Sequence, residues 1–414
     1  MNKHPLILDK STAAGALLKK REAKELRFRI YGISAIVLAF GFLVLLLFNI
    51  TTNGYTAFLE TKIKLPITIS PQAASTDDYF KSVQESLKKY FPQVKTRAEI
   101  ISMNALVSRN AEIDLKKMAE ADPSIIGKSL EIWLKTSSEA DMYYKGSTSA
   151  RLNDNQIKCL ATLKKQGRMR KFFSVGFFTH GDSRAAERSG ILSSLTGSIF
   201  TIICCMLAAF PLGLMTAVYL EEFARKNWFS VILEVNINNL AAVPSIMFGL
   251  LGLAVYINFF GAPRSSSLVG GLTLALLVLP IIVITTRNSL RAVPHSIKDA
   301  AIALGASKMQ ATLHHTIPLA MPGIMTGTIL GVSRAMGETA PLLMIGMVAF
   351  IADTPHNILS PATALPVQIF LWSTSPEAGF AERASAAIMV LLLFLIMINS
   401  LAIFLRKKFE VKWA

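Results

Sequence analysis

A chain of 414 residues that is 52% hydrophobic and only 17% charged, with a mean hydropathy of +0.45, is too apolar for an ordinary soluble protein of its length. Its net charge of +16 would suit nucleic acid or an anionic surface, but a helical membrane protein also gathers Lys and Arg in its cytoplasmic segments, so no nucleic-acid partner is assigned. Cys159 lies in a polar region and Cys204 and Cys205 are adjacent within an apolar run, which gives neither a disulfide framework nor a metal site.

A bilayer core of about 30 Å takes roughly 20 apolar residues of helix. The first 29 residues are polar and basic, with no short apolar core and small-residue cleavage site, so they read as a cytoplasmic segment and not as a cleaved signal peptide. The first span is Ile30 to Ile50, preceded by Lys19, Lys20, Arg21, Lys24, Arg27 and Arg29, which hold the N-terminus inside. Residues 51–190 contain no comparable run. They read as a soluble helical insert on the far side, built of short amphipathic helices such as Thr76 to Phe91, which opens with Asp77 and Asp78 and stops before Pro92.

The remainder, 191–406, supplies five further spans at Leu195–Leu220, Asn239–Phe260, Leu268–Thr286, Pro318–Phe350 and Ala384–Leu405. The expected fold is therefore an all-α integral membrane protein with six transmembrane helices. Arg225 and Lys226 follow the second span, Arg287, Arg291, Lys298 and Lys308 follow the fourth, and Arg406, Lys407, Lys408 and Lys412 close the chain, with 407–414 as the tail. The opposite links carry only Arg264 and Arg383, so both termini are placed inside. The fifth run exceeds one crossing and contains Pro318, Pro322, Gly323, Gly337 and Pro341. Breaks are expected there, and irregular backbone at membrane depth must face protein or a water-filled cavity.

Residues 287–317 form an inside loop. Its pattern predicts a short helix from Ser296 to Leu304, stopped by Gly305, and a second from Ser307 to Thr316 running into Pro318. By spacing alone it reads equally as an amphipathic loop packed on the membrane surface. Asp299, Ala300, Ala301, Gly305 and Pro318 match the spacing of the "EAA" loop of ABC importer permeases, which the segment resembles; Asp299 stands where Glu is usual. The resemblance implies a permease whose loop docks into a groove of a separate ATP-binding subunit. The chain itself offers only Gly127, Lys128 and Ser129 as a phosphate-loop fragment, and Asp122 occupies the position of the missing first glycine. No bound cofactor is expected, with ATP held by the partner, and no enzyme-like arrangement of nucleophile, base and orienter appears.

In "GVSRAMGETAPLL" Arg334 and Glu338 stand four residues apart inside the fifth apolar run. Insertion scales put a central Arg or acidic residue at about 2.5–3.5 kcal/mol, so the pair calls for a reason. One reading is an intrahelical ion pair that lowers its own insertion cost. The other is an anion site, in which the Arg fork gives two parallel hydrogen bonds to a tetrahedral oxyanion. Glu338 then orients that fork or accepts from a protonated oxygen, favouring phosphate over sulfate.

"RAMGETAPLL" resembles the signature of phosphate ABC importer permeases of the PstA type, and "NNLAAVPSIMFGLLGLAV" and "GGLTLALLVLPIIVITTRNSLRAVPHSI" agree with it. The resemblance covers residues 190–414. It implies a heterodimer with a PstC-like permease, two PstB-like ATP-binding subunits, a PstS-like periplasmic phosphate-binding protein, membrane lipid as surroundings and inorganic phosphate as substrate. Arg334 and Glu338 carry over as the pathway pair, and Thr339 adds a hydroxyl or packs between helices. Another oxyanion, or a membrane-anchored sensor whose insert binds ligand, remain the rival readings.

Overall fold

A computed structural model describes residues 13–71, 77–147, 149–225, 227–348 and 350–409. Residues 1–12, Thr76 at the start of the expected insert helix, Lys226, and the tail beyond Phe409 with Lys412 lie outside the described residues. The chain divides into two compact units, Met1–Asn53 and Gly54–Ala414. The first is essentially helix α1, Ala13–Gly54, whose 42 residues would measure about 63 Å at the usual rise. The uncharged stretch from Ile30 to Ile50 is by itself long enough to cross a bilayer.

The second unit opens with the insert, which is not the purely helical body expected from the sequence. β1 (Leu59–Thr68) is the central strand of a three-stranded antiparallel sheet, flanked by β2 (Ser129–Lys135) and β3 (Met169–Phe173). Leu65 faces Ile132, and Ile63 lies between Leu134 and Met169. Along β1, Ile63, Leu65 and Ile67 are fully buried, while Lys62, Lys64 and Pro66, which alternate with them, are partly exposed, the period-two pattern of a half-buried strand. Helices α2 (Tyr79–Tyr90), α3 (Arg97–Asn104), α4 (Ala111–Ala121), α5 (Ser138–Lys145) and α6 (Asp154–Lys165) supply the rest of this core, including Val83, Leu87, Met103, Leu115, Leu160 and Leu163.

After the short α7 (Val175–Thr179) comes the apolar core of the molecule. It comprises α8 (Leu192–Val218), α9 (Trp228–Ala242), α10 (Ser245–Leu251) and α11 (Ser267–Arg291). There follow α12 (His295–Ala303), α13 (Lys308–Ala311), α14 (Ile317–Gly337), α15 (Ala340–Met344), α16 (Leu365–Ser373) and α17 (Ala378–Phe409). Among the described residues, five helices are long and apolar enough to cross a membrane, and six if the bent pair Trp228–Ala242 and Ser245–Phe259 is one span. That pair turns by 107° at Val243–Pro244, so the span expected from Asn239 begins earlier and is sharply broken at the proline.

α8, α11 and α14 pack closely because small residues let their backbones approach. A Cβ built on Gly271 would lie 2.4 Å from that of Cys204. The charge of the link 351–383 gives no sign of α16, yet Leu365, Val367 and Trp372 are buried there.

A polar joint ties the insert to the apolar core. Lys145 of α5 pairs with Asp141 at 2.6 Å and with Glu382 of α17 at 3.1 Å. Next to it the buried Arg383 donates to the Glu187 carbonyl at 3.3 Å and lies 5.3 Å over the Phe177 ring. The Trp372 indole of α16 donates to Asp182 at 3.0 Å.

Candidate functional site

The long fifth run breaks where its sequence changes character. α14 ends at Gly337, and Glu338 is extended (φ −81°, ψ 123°), its N–H donating to the Ala335 carbonyl at 3.3 Å. Half-buried Thr339 then precedes α15, whose first turn holds Pro341, a residue that cannot extend the preceding ladder. α15 packs on α10, the short helix after the Pro244 break: a Cβ on Gly249 would stand 2.7 Å from Pro341 Cα. Two discontinuous helices thus meet, an arrangement that membrane proteins tolerate where backbone lines a cavity or a protein interface.

Arg334 sits in the last turn of α14, where the helix dipole favours a cation. Its Nε lies 3.6 Å from Glu338 Oε1, and the side chains are 43% and 20% exposed. Among the described residues the guanidinium makes no hydrogen bond, so its fork is uncommitted. The surrounding turns explain the direction it faces. Gly327, Gly331 and Ala335 are buried against α11, and Ser333 donates to Asn399 of α17 at 2.7 Å. Leu330 and Arg334, four apart, remain on the open side of the helix. An arginine on that side needs water, an anion or another protein chain, since lipid would charge its full insertion cost.

The second candidate region is the loop between α11 and α14. α12 ends at the residue before Leu304, and Gly305 adopts φ +93°, the left-handed conformation a helix stop requires. Ser307 caps α13, its side chain accepting from the Gln310 N–H at 3.2 Å. A π-helical turn, Thr312–Thr316, carries the chain into α14 with Pro318 in its first turn. Asp299 and Ala300 are exposed on α12 and Ala301 is buried beneath them. Leu304 is 91% exposed, with Ile302, Met309 and Leu313 also open. This is a cluster of exposed apolar side chains on a loop flanked by charges. The neighbouring His314 and His315 are exposed, and no metal-holding cluster occurs among the described residues.

The basic residues that served only to orient the chain have partners that sequence reading missed. Glu221 and Glu234 hold Arg287 and Arg291 in one ionic network, and the adjacent Glu222 pairs separately with Lys298. The signal available in the sequence was the pair of adjacent glutamates closing an apolar run.

A broken-helix apolar core thus carries an exposed two-helix loop. The model of the binding-protein-dependent transport system inner membrane component family matches residues 209–411, and a domain of unknown function, DUF3333, matches residues 15–154. The phosphate transport system permease protein PstA of Haemophilus influenzae is 34% identical over 58% of this chain and 82% of its own length. The protein of the same name from Yersinia pestis is 34% identical over 53% of this chain and 74% of its own. The methionine ABC transporter MetNI in an inward-facing conformation overlays with TM-score 0.41 at 14% identity, covering 54% of this chain and 95% of that one. The chain therefore belongs to the binding-protein-dependent transport system inner membrane components, and within them to the PstA-type permeases. It is a multi-pass membrane subunit, not an enzyme, and it works with a separate ATPase, a substrate-binding protein and a second permease.

Proposed function

We propose that this chain forms one half of the translocation pathway of an ATP-driven phosphate importer, with a PstC-like permease as the other half. Two PstB-like subunits hydrolyse ATP, a PstS-like protein delivers phosphate to the outer mouth, and both termini lie in the cytoplasm. The observation that carries this reading is the uncommitted Arg334 fork, on an open helix face, 3.6 Å from Glu338 at a helix break. A planar guanidinium suits a tetrahedral oxyanion, and a carboxylate beside it accepts a proton that phosphate carries at neutral pH and sulfate does not. Thr339 adds a hydroxyl at the same break. Asp299, Ala300, Ala301, Gly305 and Pro318 shape the loop that docks on the ATPase, with Leu304 as its apolar anchor.

The test is ATP-dependent uptake of radiolabelled phosphate into vesicles holding the four-component complex, with unlabelled phosphate, sulfate or molybdate as competitors. Phosphate alone should compete. Competition by sulfate or molybdate at equal concentration would move the assignment to another oxyanion, and a verified complex without uptake would overturn transport.

A further inference from the structure

The loop that presents Leu304 is joined by covalent chain to α11, through residues 292–294, and to α14 at Ile317. It has no chain connection to α8. The contacts to α8 run instead through the π-helical turn Tyr219–Phe223 that ends it. Lys298 of α12 forms an ion pair with Glu222 of that turn, and the two side chains are 19% and 8% exposed. From the other arm of the loop, Lys308 lies 5.3 Å over the Phe223 ring. The adjacent Glu221 accepts from Arg291 Nε at 2.8 Å and from Arg287 Nε at 3.3 Å, and Arg287 reaches Glu234 of α9 at 3.1 Å. Three carboxylates and three cations thereby join α8, α9, the end of α11 and the loop.

We infer that the Lys298–Glu222 pair is a strut that makes the loop and α8 move as one body, and so sets how much transport each ATP yields. This rests on reading the loop as the ATPase contact. The physical argument is that ions withdrawn from water hold their geometry only while both partners are present. α12 is nine residues long and hinges on the 292–294 bend. Without the strut it rocks on that bend and leaves α8 behind. With it, displacement of α12 is passed to α8, and from there to α11, because a Cβ on Gly271 would already meet the Thr201 carbonyl at 2.7 Å and the two backbones cannot slide. α11 in turn packs on the face of α14 opposite Arg334, through Gly327 and Gly331. Lys298 is thus a positioning residue, acting through Glu222 at a distance from the anion path.

The test uses the full complex in proteoliposomes with Lys298→Met, Lys298→Arg and the double variant Lys298→Met/Glu222→Gln. The double variant removes both charges, so it buries no unpaired ion and should assemble as the wild type does. Lys298→Met and the double variant should raise ATP consumed per phosphate imported by about fivefold or more, the lower end of an ordinary coupling energy between sites. The KM for phosphate should stay unchanged, and Lys298→Arg should restore the ratio. A second readout is the spin-label distance between positions 296 and 215, both exposed and neither placed on the ATPase contact, with the three native cysteines replaced by alanine. It should be narrow in the wild type and broad in both uncoupled variants. Unchanged ratio and distance in the double variant would overturn the strut, as would failure of Lys298→Arg to restore them. A distance that broadens in a complex importing no phosphate would support the strut and overturn the substrate assignment instead.

Discussion

Replacing Arg334 by glutamine separates the two roles open to it, because the structure makes their magnitudes differ. The Arg334–Glu338 contact is 3.6 Å long and reaches from the last turn of α14 to the residue just past its end, and the arginine side chain is 43% exposed. Pairs of that kind are worth about 0.2–0.5 kcal/mol once solvent screening is allowed for. If the pair is structural, Arg334→Gln should therefore lower assembly or melting by less than about 0.5 kcal/mol and leave uptake nearly intact. A hydrogen bond to a charged group contributes about 1.5–3 kcal/mol, which corresponds to roughly tenfold to a hundredfold in binding. On the anion-path reading, Arg334→Gln should therefore reduce phosphate uptake by that factor while the complex still assembles and hydrolyses ATP. Arg334→Lys keeps the charge without the planar fork and should fall between. Glu338→Gln removes the negative charge and puts an amide donor in place of one carboxylate oxygen, and should let sulfate compete. The assay is vesicle uptake measured beside the melting temperature of the purified complex. Unchanged uptake in Arg334→Gln would refute the reasoning, as would a loss of uptake matched by an equal loss of assembly.

Two further outcomes concern packing and pH. Gly271→Ala would place a Cβ 2.4 Å from that of Cys204 and 2.9 Å from the Cys205 amide, so α8 must withdraw, at a cost of about 1–3 kcal/mol. Gly270→Ala meets first the flexible Met347 sulfur, at 2.9 Å, and should cost clearly less. Equal melting temperatures for the two variants would show that the α8–α11 contact is not tight. In the insert, burial raises the Glu60 pKa, but the Lys135 and Lys62 ammonium groups outweigh it and hold the carboxyl below its ordinary 4.5. A depressed folded pKa means stability that is present above 4.5 and lost as pH falls through the folded value. The apparent melting temperature of the full chain should fall below pH 4.5, and less steeply in Glu60→Gln. Identical acid profiles would remove Glu60 from the account.

The parts legible in the sequence are those where local chemistry decides conformation. Gly305 stops α12 and Ser307 caps α13 by rules that act over four residues, so the loop helices fall within a residue or two of their expected starts. Pro341 after Gly337 marks the break between α14 and α15 for the same reason. α11, by contrast, runs to Arg291, beyond the expected end at Thr286, because Glu221 and Glu234 compensate Arg287 and Arg291. Those partners lie 53 to 70 residues away in sequence, and no local pattern announces them.

The sheet is hard to read from sequence for a more particular reason. "LETKIKLPIT" alternates as a strand does, but Pro66 stands inside it, and proline is barred from the interior of a sheet because it cannot donate to a ladder. β1 is the central strand, where that rule forbids a proline. The register resolves it: β3 pairs only with Leu59–Ile63, whereas Pro66 lies opposite Glu131 of β2 alone. At Pro66 the central strand has become an edge, and its missing N–H is a bond nobody needed. The same stagger leaves Lys64 free to take the Arg168 carbonyl at 2.9 Å as the last rung on the β3 side. A proline that argued against a strand is what marks where the third strand ends.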